Sequence, residues 1–315
     1  MVMPASATPH LVALDWGSTR LRAWLLGEHG AILAERQDAS GASILAGGPA
    51  AFGQALAGLA SDWLDLALPI VACGMVGSAH GWLEVPYVGC PARLDLLHEH
   101  LVEATAGAIS VHIVPGLIDA PVRGTPDVMR GEETQVLGLV AARPDLSARA
   151  CVVMPGTHSK WVRLTDGAVT GIRTRMTGET YALLRRHSVL ARLMPSDDTD
   201  TPLGRDAFVA GVVAARDAQG SDLLAQLFSV RTLGLTARWP AQALPDHLSG
   251  LLIGHELVAG LSLADAPLAL VGEPALCRRY ALALDVLGAT AVATHANTAC
   301  AGLWQLAVQA GWVRA

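Results

Sequence analysis

Two short turns in this chain carry the residue types that hold phosphate. The first, Asp15-Trp16-Gly17-Ser18-Thr19, follows the apolar run 11–14. The second, Pro155-Gly156-Thr157-His158-Ser159-Lys160, follows the apolar run 151–154. A tight turn offers backbone N–H groups to an anion, glycine lets the backbone approach it closely, and Ser or Thr adds hydroxyl donors. Gly17, Ser18 and Thr19, with Gly156, Thr157, His158 and Ser159, are therefore candidate nucleotide-binding residues. A carboxylate beside phosphates is useful only with a cation between them. Asp15 is thus the candidate ligand for Mg2+, an ion commonly held through waters and one or two carboxylates. His158 stands where a small residue would be expected; neutral, it can donate one hydrogen bond to a phosphate oxygen. Asp, Gly and Ser are also ordinary turn formers. One such turn would be no more than that; two, each opening a similar half, favour phosphate.

No two glycines are separated by a single residue, so the dinucleotide fingerprint G-x-G-x-x-G cannot occur, and G-x-x-x-x-G-K-[ST] is absent as well. A nucleotide must then be held by hairpin turns. The segment 130-RGEETQ-135 opens a helix with two acidic residues, which suits the helix dipole. One of them can also serve as the base that accepts a sugar hydroxyl's proton. Glu132 is preferred as the catalytic residue, Glu133 stands close behind, and His158 is second choice to Glu132. In 272-GEPALCRRY-280, Gly272 ends an apolar strand and Pro274 suits a first helical turn. A glycine there lets an adenosine lie flat on the backbone; a plain strand-to-helix turn is the other reading.

The elements that must position these residues follow from periodicity. Strands are expected at 11–14, 20–26 and 31–37; the middle one alternates Leu21, Ala23 and Leu25 against Arg20, Arg22 and Trp24. A helix at 49–67, a strand at 69–75, a helix near 91–105, a strand at 110–117 and a helix at 131–144 complete the first half. The opening pattern returns over 151–174, where Asp166-Gly167 marks a hairpin. A polar, Pro-containing loop follows at 195–206, then helices at 206–217, 221–230 and 246–264. Strand 267–272, helix 274–288, strand 291–295 and helix 298–311 close the chain. This alternation predicts an α/β fold with a mixed sheet in each of two related halves, 1–145 and 146–297. The last helix, 298–315, is expected to pack back on the first half.

Composition limits the partners. The 315 residues carry a net charge of -6 and no Lys/Arg block, which argues against nucleic acid or an anionic membrane surface. Mean hydropathy is +0.40, yet the most apolar stretch, 248–272, is interrupted by His255, Glu256, Asp265 and Pro267. Five scattered cysteines without C-x-x-C fit reduced thiols in the cytoplasm. The first ten residues have neither a basic nor an apolar region, so no export signal is expected and they read as a short tail.

LDWGST, MPGTHSKW and VGEPALCRRY resemble the two phosphate hairpins and the adenosine segment of sugar kinases in the actin/hexokinase superfamily. The strings CGMVGSAHGWLEVPY (73–87), MRGEETQ (129–135), PGTHSKW (155–161), MTGETYALLRRHSVL (176–190) and GLLIGHEL (250–257) are jointly similar to the 2-dehydro-3-deoxygalactonokinase family. That resemblance implies two ribonuclease-H-like (actin-like) domains with a nucleotide cleft between them. It also implies ATP and Mg2+, and phosphorylation of the 6-hydroxyl of a 2-keto-3-deoxy sugar acid in galactonate breakdown. The family's usual base is Asp, whereas this chain offers Glu132 or Glu133.

A sugar acid needs cations or amides for its carboxylate and polar groups for its hydroxyls. Ser78 and Trp82 lie after a strand end, Arg130 precedes the proposed base, and Thr177 lies in the MTGE segment with Arg175 and Glu179 nearby; Trp82 is equally suited to packing. Ser40 to Ser43 form either another edge of the site or a plain loop. Lys160 either neutralises phosphate or is simply exposed. The rivals are a kinase for the gluconate epimer or another sugar, and a chaperone-like or filament-forming ATPase. Oligomeric state is open between a monomer and a homo-oligomer.

Overall fold

The computed structural model describes residues 8–195 and 204–314. Most of the loop expected at 195–206, and most of the N-terminal tail, lie outside the described residues.

The chain opens with the meander β1 (Leu11–Trp16), β2 (Leu21–Leu26) and β3 (Ile32–Asp38). β1 is buried at every position except Asp15, because it pairs with β2 antiparallel on one side and with a parallel strand on the other. Helix α1 (Pro49–Leu64) turns Phe52, Leu56, Ala60 and Trp63 onto this sheet, where they pack with Val12, Leu14 and Trp16. The parallel partner of β1 is β4 (Ile70–Gly74). β5 (Val88–Gly89) and β6 (Ala92–Arg93) are two-residue strands, and β7 (Val102–Ala106) and β8 (Ile109–Ile113) form a hairpin. The first sheet runs β3-β2-β1-β4-β8-β7.

The helix expected near 91–105 is not formed. A 3-10 turn occupies Leu94–His100 and buries Leu94 and Leu97, three apart; from Val102 the chain is the strand β7. The cause is the changed period: in β7 Ala104 is buried while Glu103 and Thr105 face out. The strand expected at 110–117 is likewise divided at Val114-Pro115-Gly116 into β8 and β9 (Leu117–Asp119). β9 pairs with β10 (Asp127–Met129) and β5 in a small sheet.

Helix α2 (Glu132–Ala142) precedes a second meander: β11 (Arg149–Met154), β12 (Ser159–Thr165) and β13 (Ala168–Arg175). Asp166 and Gly167 both take positive φ at its hairpin turn, 49° and 75°, as an Asp-Gly pair predicts. Helix α3 (Thr177–His187) follows directly, where no helix is expected from the sequence; none of its residues is fully buried. Then come α4 (Arg205–Asp217), α5 (Leu223–Leu235), α6 (Leu244–Leu261), β14 (Leu268–Val271), α7 (Pro274–Val286), β15 (Ala291–His295) and α8 (Ala299–Gln309). The second large sheet runs β15-β14-β11-β12-β13-β6. Helix α6 is buried along most of its length, so its polar residues need internal partners. Among the described residues no helix is long and apolar enough to cross a membrane.

Two compact units result: residues 1–150, 162–172 and 297–315 in the first, and 151–161 with 173–296 in the second. The start of α8 is fastened to α2 within the first unit, where Thr298 Oγ1 donates to the Gln135 carbonyl at 2.6 Å.

Candidate active site

In the first unit the C-terminal ends of the parallel strands β1 and β4 lie side by side. Asp15 is opposite Cys73, and Trp16 opposite Gly74. Gly74 ends β4 with a φ of 93°, and a Cβ there would come within 2.7 Å of the Trp16 carbonyl, so only glycine fits. On its other side Gly74 touches Gly131, the residue before α2: a Cβ on Gly131 would lie 3.2 Å from the Gly74 Cα. Asp15 and the start of α2 are thereby brought to one place, at the strand ends where ligands bind in open α/β sheets.

Asp15 is part of β1 rather than beyond its end. Its carboxylate accepts a hydrogen bond from Asn297 Nδ2 at 3.1 Å, and the Arg22 guanidinium stands at 3.9 Å. Burial raises its pKa; the Asn297 hydrogen bond and the Arg22 charge only partly offset this. A partly exposed carboxylate whose charge is only partly compensated suits a cation ligand. Among the described residues no three His, Cys, Asp or Glu side chains gather to hold a metal by themselves. The donor set therefore fits an ion that takes most of its ligands from water and phosphate, as Mg2+ does. Asn297 carried no signal in the sequence beyond standing just before a helix; its own Oδ1 accepts the Ala299 N–H at 2.8 Å.

The turn after β1 is braced from below. Gly17 N–H donates to the Arg20 carbonyl at 2.9 Å, while the Gly17 and Ser18 carbonyls accept from Ala42 N–H at 2.9 Å and Ser43 N–H at 3.0 Å. A Cβ at Gly41 would collide with Ser18 O and Thr19 Cα, both at 2.3 Å. The loop 41–43 thus takes up the turn's carbonyl oxygens and leaves the exposed Ser18 and Thr19 to present donors outward. Ser40 to Ser43 serve this turn directly.

The two acids of α2 divide by burial. Glu133 is 0 % exposed; its Oε2 accepts the Gly131 N–H at 2.7 Å and its Oε1 accepts the Thr134 hydroxyl at 3.0 Å. Burial first, and the charge of Glu132 second, push its pKa up to about 8. Glu132 is only half-buried, and its Oε2 accepts the Arg130 N–H at 3.0 Å. The Cys73 thiol, facing Asp15, is pushed well above its ordinary range by burial and by the charges of Asp15 and Glu133.

The raised Glu133 pKa has a consequence for folding. Between about 4.5 and about 8 the folded chain keeps a proton that the unfolded chain loses, so stability falls as pH rises through that window. Urea midpoints measured from pH 5 to 8.5 should decline for the wild type and decline less for Glu133→Gln. Parallel pH profiles for the two proteins would refute the assignment.

Of the proposed substrate residues, Trp82 is placed in the core. It is 4 % exposed, stacks on Phe52 with centroids 5.9 Å apart, and meets Trp16 edge-on at 6.1 Å. This burial favours its packing role. Ser78 is partly exposed at the end of the turn after β4, with its hydroxyl donating to the Met75 carbonyl at 2.8 Å. Arg130 lies 4.3 Å over the Tyr87 ring and donates from Nη2 to the Val85 carbonyl at 2.7 Å. Its Nε and Nη1 are buried and have no hydrogen-bond partner among the described residues.

The second unit holds the other turn. Gly156 and Thr157 are in contact with the first turn of α3: Glu179 N–H donates to the Thr157 carbonyl at 2.9 Å, and a Cβ on Gly178 would lie 2.3 Å from the Gly156 carbonyl. His158 Nε2 stands 2.5 Å from Glu179 Oε2. Gly272 follows β14 beside the same turn, where a Cβ would lie 3.3 Å from the Pro155 carbonyl. A cavity of about 190 Å³ adjoins it, lined by Gly156, Tyr181, Leu252, Leu276 and Arg279 among others.

Two expected site residues turn inward instead. Ser159 is 0 % exposed and its hydroxyl donates to Glu256 Oε1 at 2.6 Å, so that hydroxyl is not free for a phosphate. The Thr177 hydroxyl donates to Glu256 Oε2, which occupies the group meant for substrate. Glu256, 4 % exposed on α6, also accepts from Trp161 Nε1 at 2.8 Å and Tyr280 Oη at 2.7 Å. One buried carboxylate thus ties β12, α3, α6 and α7 together. In the sequence Glu256 showed only as an interruption of an apolar run, because its four partners are distant in the chain.

A family model described as 2-keto-3-deoxy-galactonokinase matches residues 15–306, from Asp15 itself to within α8. The 2-dehydro-3-deoxygalactonokinase of Escherichia coli strain K12 is 37% identical over 296 residues, which are 93% of this chain and 95% of that protein. A solved structure from Sinorhizobium meliloti, described as a candidate 2-dehydro-3-deoxygalactonokinase, is 36% identical with a TM-score of 0.83, covering 95% of this chain and 98% of that one. The activator of the 2-hydroxyisocaproyl-CoA dehydratase from Clostridium difficile, solved with bound ADPNP, shares the fold alone, at a TM-score of 0.50 and 12% identity over 96% of this chain and 95% of that one. The expected α/β fold of actin-like units is the fold found. With a matching model over most of its length and a relative more than one-third identical, the chain belongs to the 2-keto-3-deoxy-galactonokinase family.

Proposed function

We propose that the protein is a carbohydrate kinase that transfers the γ-phosphoryl group of ATP to the 6-hydroxyl of 2-dehydro-3-deoxy-D-galactonate, in the cytoplasm, as a step of galactonate breakdown. One observation carries the reading beyond family membership. Asp15 and the start of α2 meet across Gly74 at the ends of β1 and β4, which sets a cation-holding carboxylate near a half-buried acid. Residues 1–145 with the last helix serve as the sugar-acid domain; residues 146–297 serve as the domain of the second phosphate turn and the adenosine segment.

Phosphoryl transfer has a loose transition state, so positioning and charge neutralisation supply most of the catalysis. Gly17, Ser18 and Thr19 are proposed to donate to nucleotide phosphate, as are Gly156 and Thr157. Gly272 and the cavity beside Leu276 and Arg279 receive the adenosine. Asp15 would hold the Mg2+ that accompanies ATP, and the ion would neutralise phosphate charge there. Glu132 orients the 6-hydroxyl and takes its proton; Glu133, fully buried and bonded to Gly131 and Thr134, holds the backbone that presents Glu132. Ser78 and Arg130 face the sugar acid's polar groups.

The position of transfer is read from the product. Enzyme, Mg-ATP and 13C-labelled substrate should give a product whose phosphorus couples to C6. A product whose phosphorus shows no two-bond coupling to C6 would refute the proposed acceptor hydroxyl.

A further inference from the structure

His158 sits in the second turn with one ring nitrogen already committed. Its Nε2 lies 2.5 Å from Glu179 Oε2, and both side chains are partly exposed. A carboxylate accepts, so Nε2 carries the hydrogen in this contact. The neutral ring then has only an acceptor left, at Nδ1. It has no donor to offer a phosphate, whatever its position in the turn. A neutral ring held in this way does not donate to a phosphate oxygen.

The pair is built into the turn. Glu179 is anchored twice, through its side chain to His158 and through its N–H to the Thr157 carbonyl at 2.9 Å. Gly178 lets α3 approach so closely that a Cβ would lie 2.3 Å from the Gly156 carbonyl. The other charged groups around this region are engaged elsewhere. Lys160 is buried, not exposed, and its Nζ donates to Thr174 Oγ1 at 2.8 Å. Arg175 lies over Trp161 at 4.8 Å. Glu256 accepts four hydrogen bonds, and Arg279 donates to Asp246 at 2.8 Å. Glu179 is the charged group in contact with the ring.

We propose that Glu179 is a positioning residue for nucleotide binding: by taking the Nε2 hydrogen of His158 it makes the ring donate to phosphate only as the imidazolium, through Nδ1–H. The inference rests on the reading that this turn holds the nucleotide's phosphates. Nucleotide binding then draws a proton from solvent onto Nδ1. The added proton forms a charge-assisted hydrogen bond to phosphate and offsets the Glu179 carboxylate, which would otherwise repel the anion.

The test uses the full chain and ADPNP with Mg2+. Nitrogen-15 spectra of the histidine rings, with His158 assigned by its loss in His158→Gln, should show Nε2 protonated in the free protein at high pH. In the ADPNP complex both ring nitrogens should carry hydrogen. Calorimetry in two buffers of different ionisation enthalpy should show proton uptake on binding. In Glu179→Gln that uptake should shrink and affinity fall about tenfold, the worth of one charge-assisted hydrogen bond. An Nδ1 that stays unprotonated in the complex overturns the proposal. So does a Glu179→Gln variant with unchanged uptake and affinity. Failure of the wild type to bind ADPNP at all would instead overturn the assignment of the turn to nucleotide.

Discussion

Replacing Glu132 by Gln should lower kcat by about 10²–10⁴-fold, the usual worth of a general base. KM for either substrate should change little. Glu132 is the accessible acid at the start of α2, whereas Glu133 is fully buried with both oxygens bonded. The amide keeps the size and hydrogen-bonding reach of the side chain but cannot take a proton at neutral pH. It can still accept from the Arg130 N–H, now made by Glu132 Oε2 at 3.0 Å, so α2 should keep its first turn. Steady-state rates of ADP release, with circular dichroism as the check on folding, decide the matter. If Glu132→Gln retains more than about a tenth of the wild-type kcat, the base lies elsewhere.

The second large effect is on stability. Glu256→Leu should remove at least about 4 kcal/mol, because several buried donors lose their common acceptor and each orphaned group costs about 1–3 kcal/mol. The donors are Ser159, Trp161, Thr177 and Tyr280, from three different elements besides α6. In a chain of this size that loss corresponds to a fall in Tm of about 6 °C. Glu256→Gln retains one acceptor oxygen and should cost distinctly less. A thermal scan of both variants measures this. A Leu variant that melts within about 2 °C of the wild type would show that the four donors find other partners.

Local features were legible in the sequence, and distant pairings were not. The meanders, the Asp166-Gly167 hairpin and the start of α2 are set by neighbouring residues, so periodicity and turn chemistry located them. The places of Asp15 at a strand's end, Gly17 in a turn and Glu132 at a helix start are legible for the same reason. A hydroxyl near a phosphate turn looks the same in sequence whether it faces out or in; Glu256, the partner that turns Ser159 and Thr177 inward, lies 97 residues from Ser159 and 79 from Thr177. Trp82 was ambiguous until Phe52 and Trp16 closed on both sides of it. Asn297 reaches Asp15 across 282 residues, a link no local pattern encodes. Helix α3 has no fully buried residue, so no core-facing pattern marks it in the sequence.

The central claim is sugar-acid-dependent phosphoryl transfer. It is tested most directly by ADP release from Mg-ATP with purified protein, with and without 2-dehydro-3-deoxy-D-galactonate, beside its gluconate epimer. The account predicts turnover that requires a sugar acid, is strongest with the galactonate epimer, and collapses in Glu132→Gln. Equal turnover with both epimers would contradict the narrow substrate. ATP hydrolysis indifferent to any sugar acid would contradict the kinase itself.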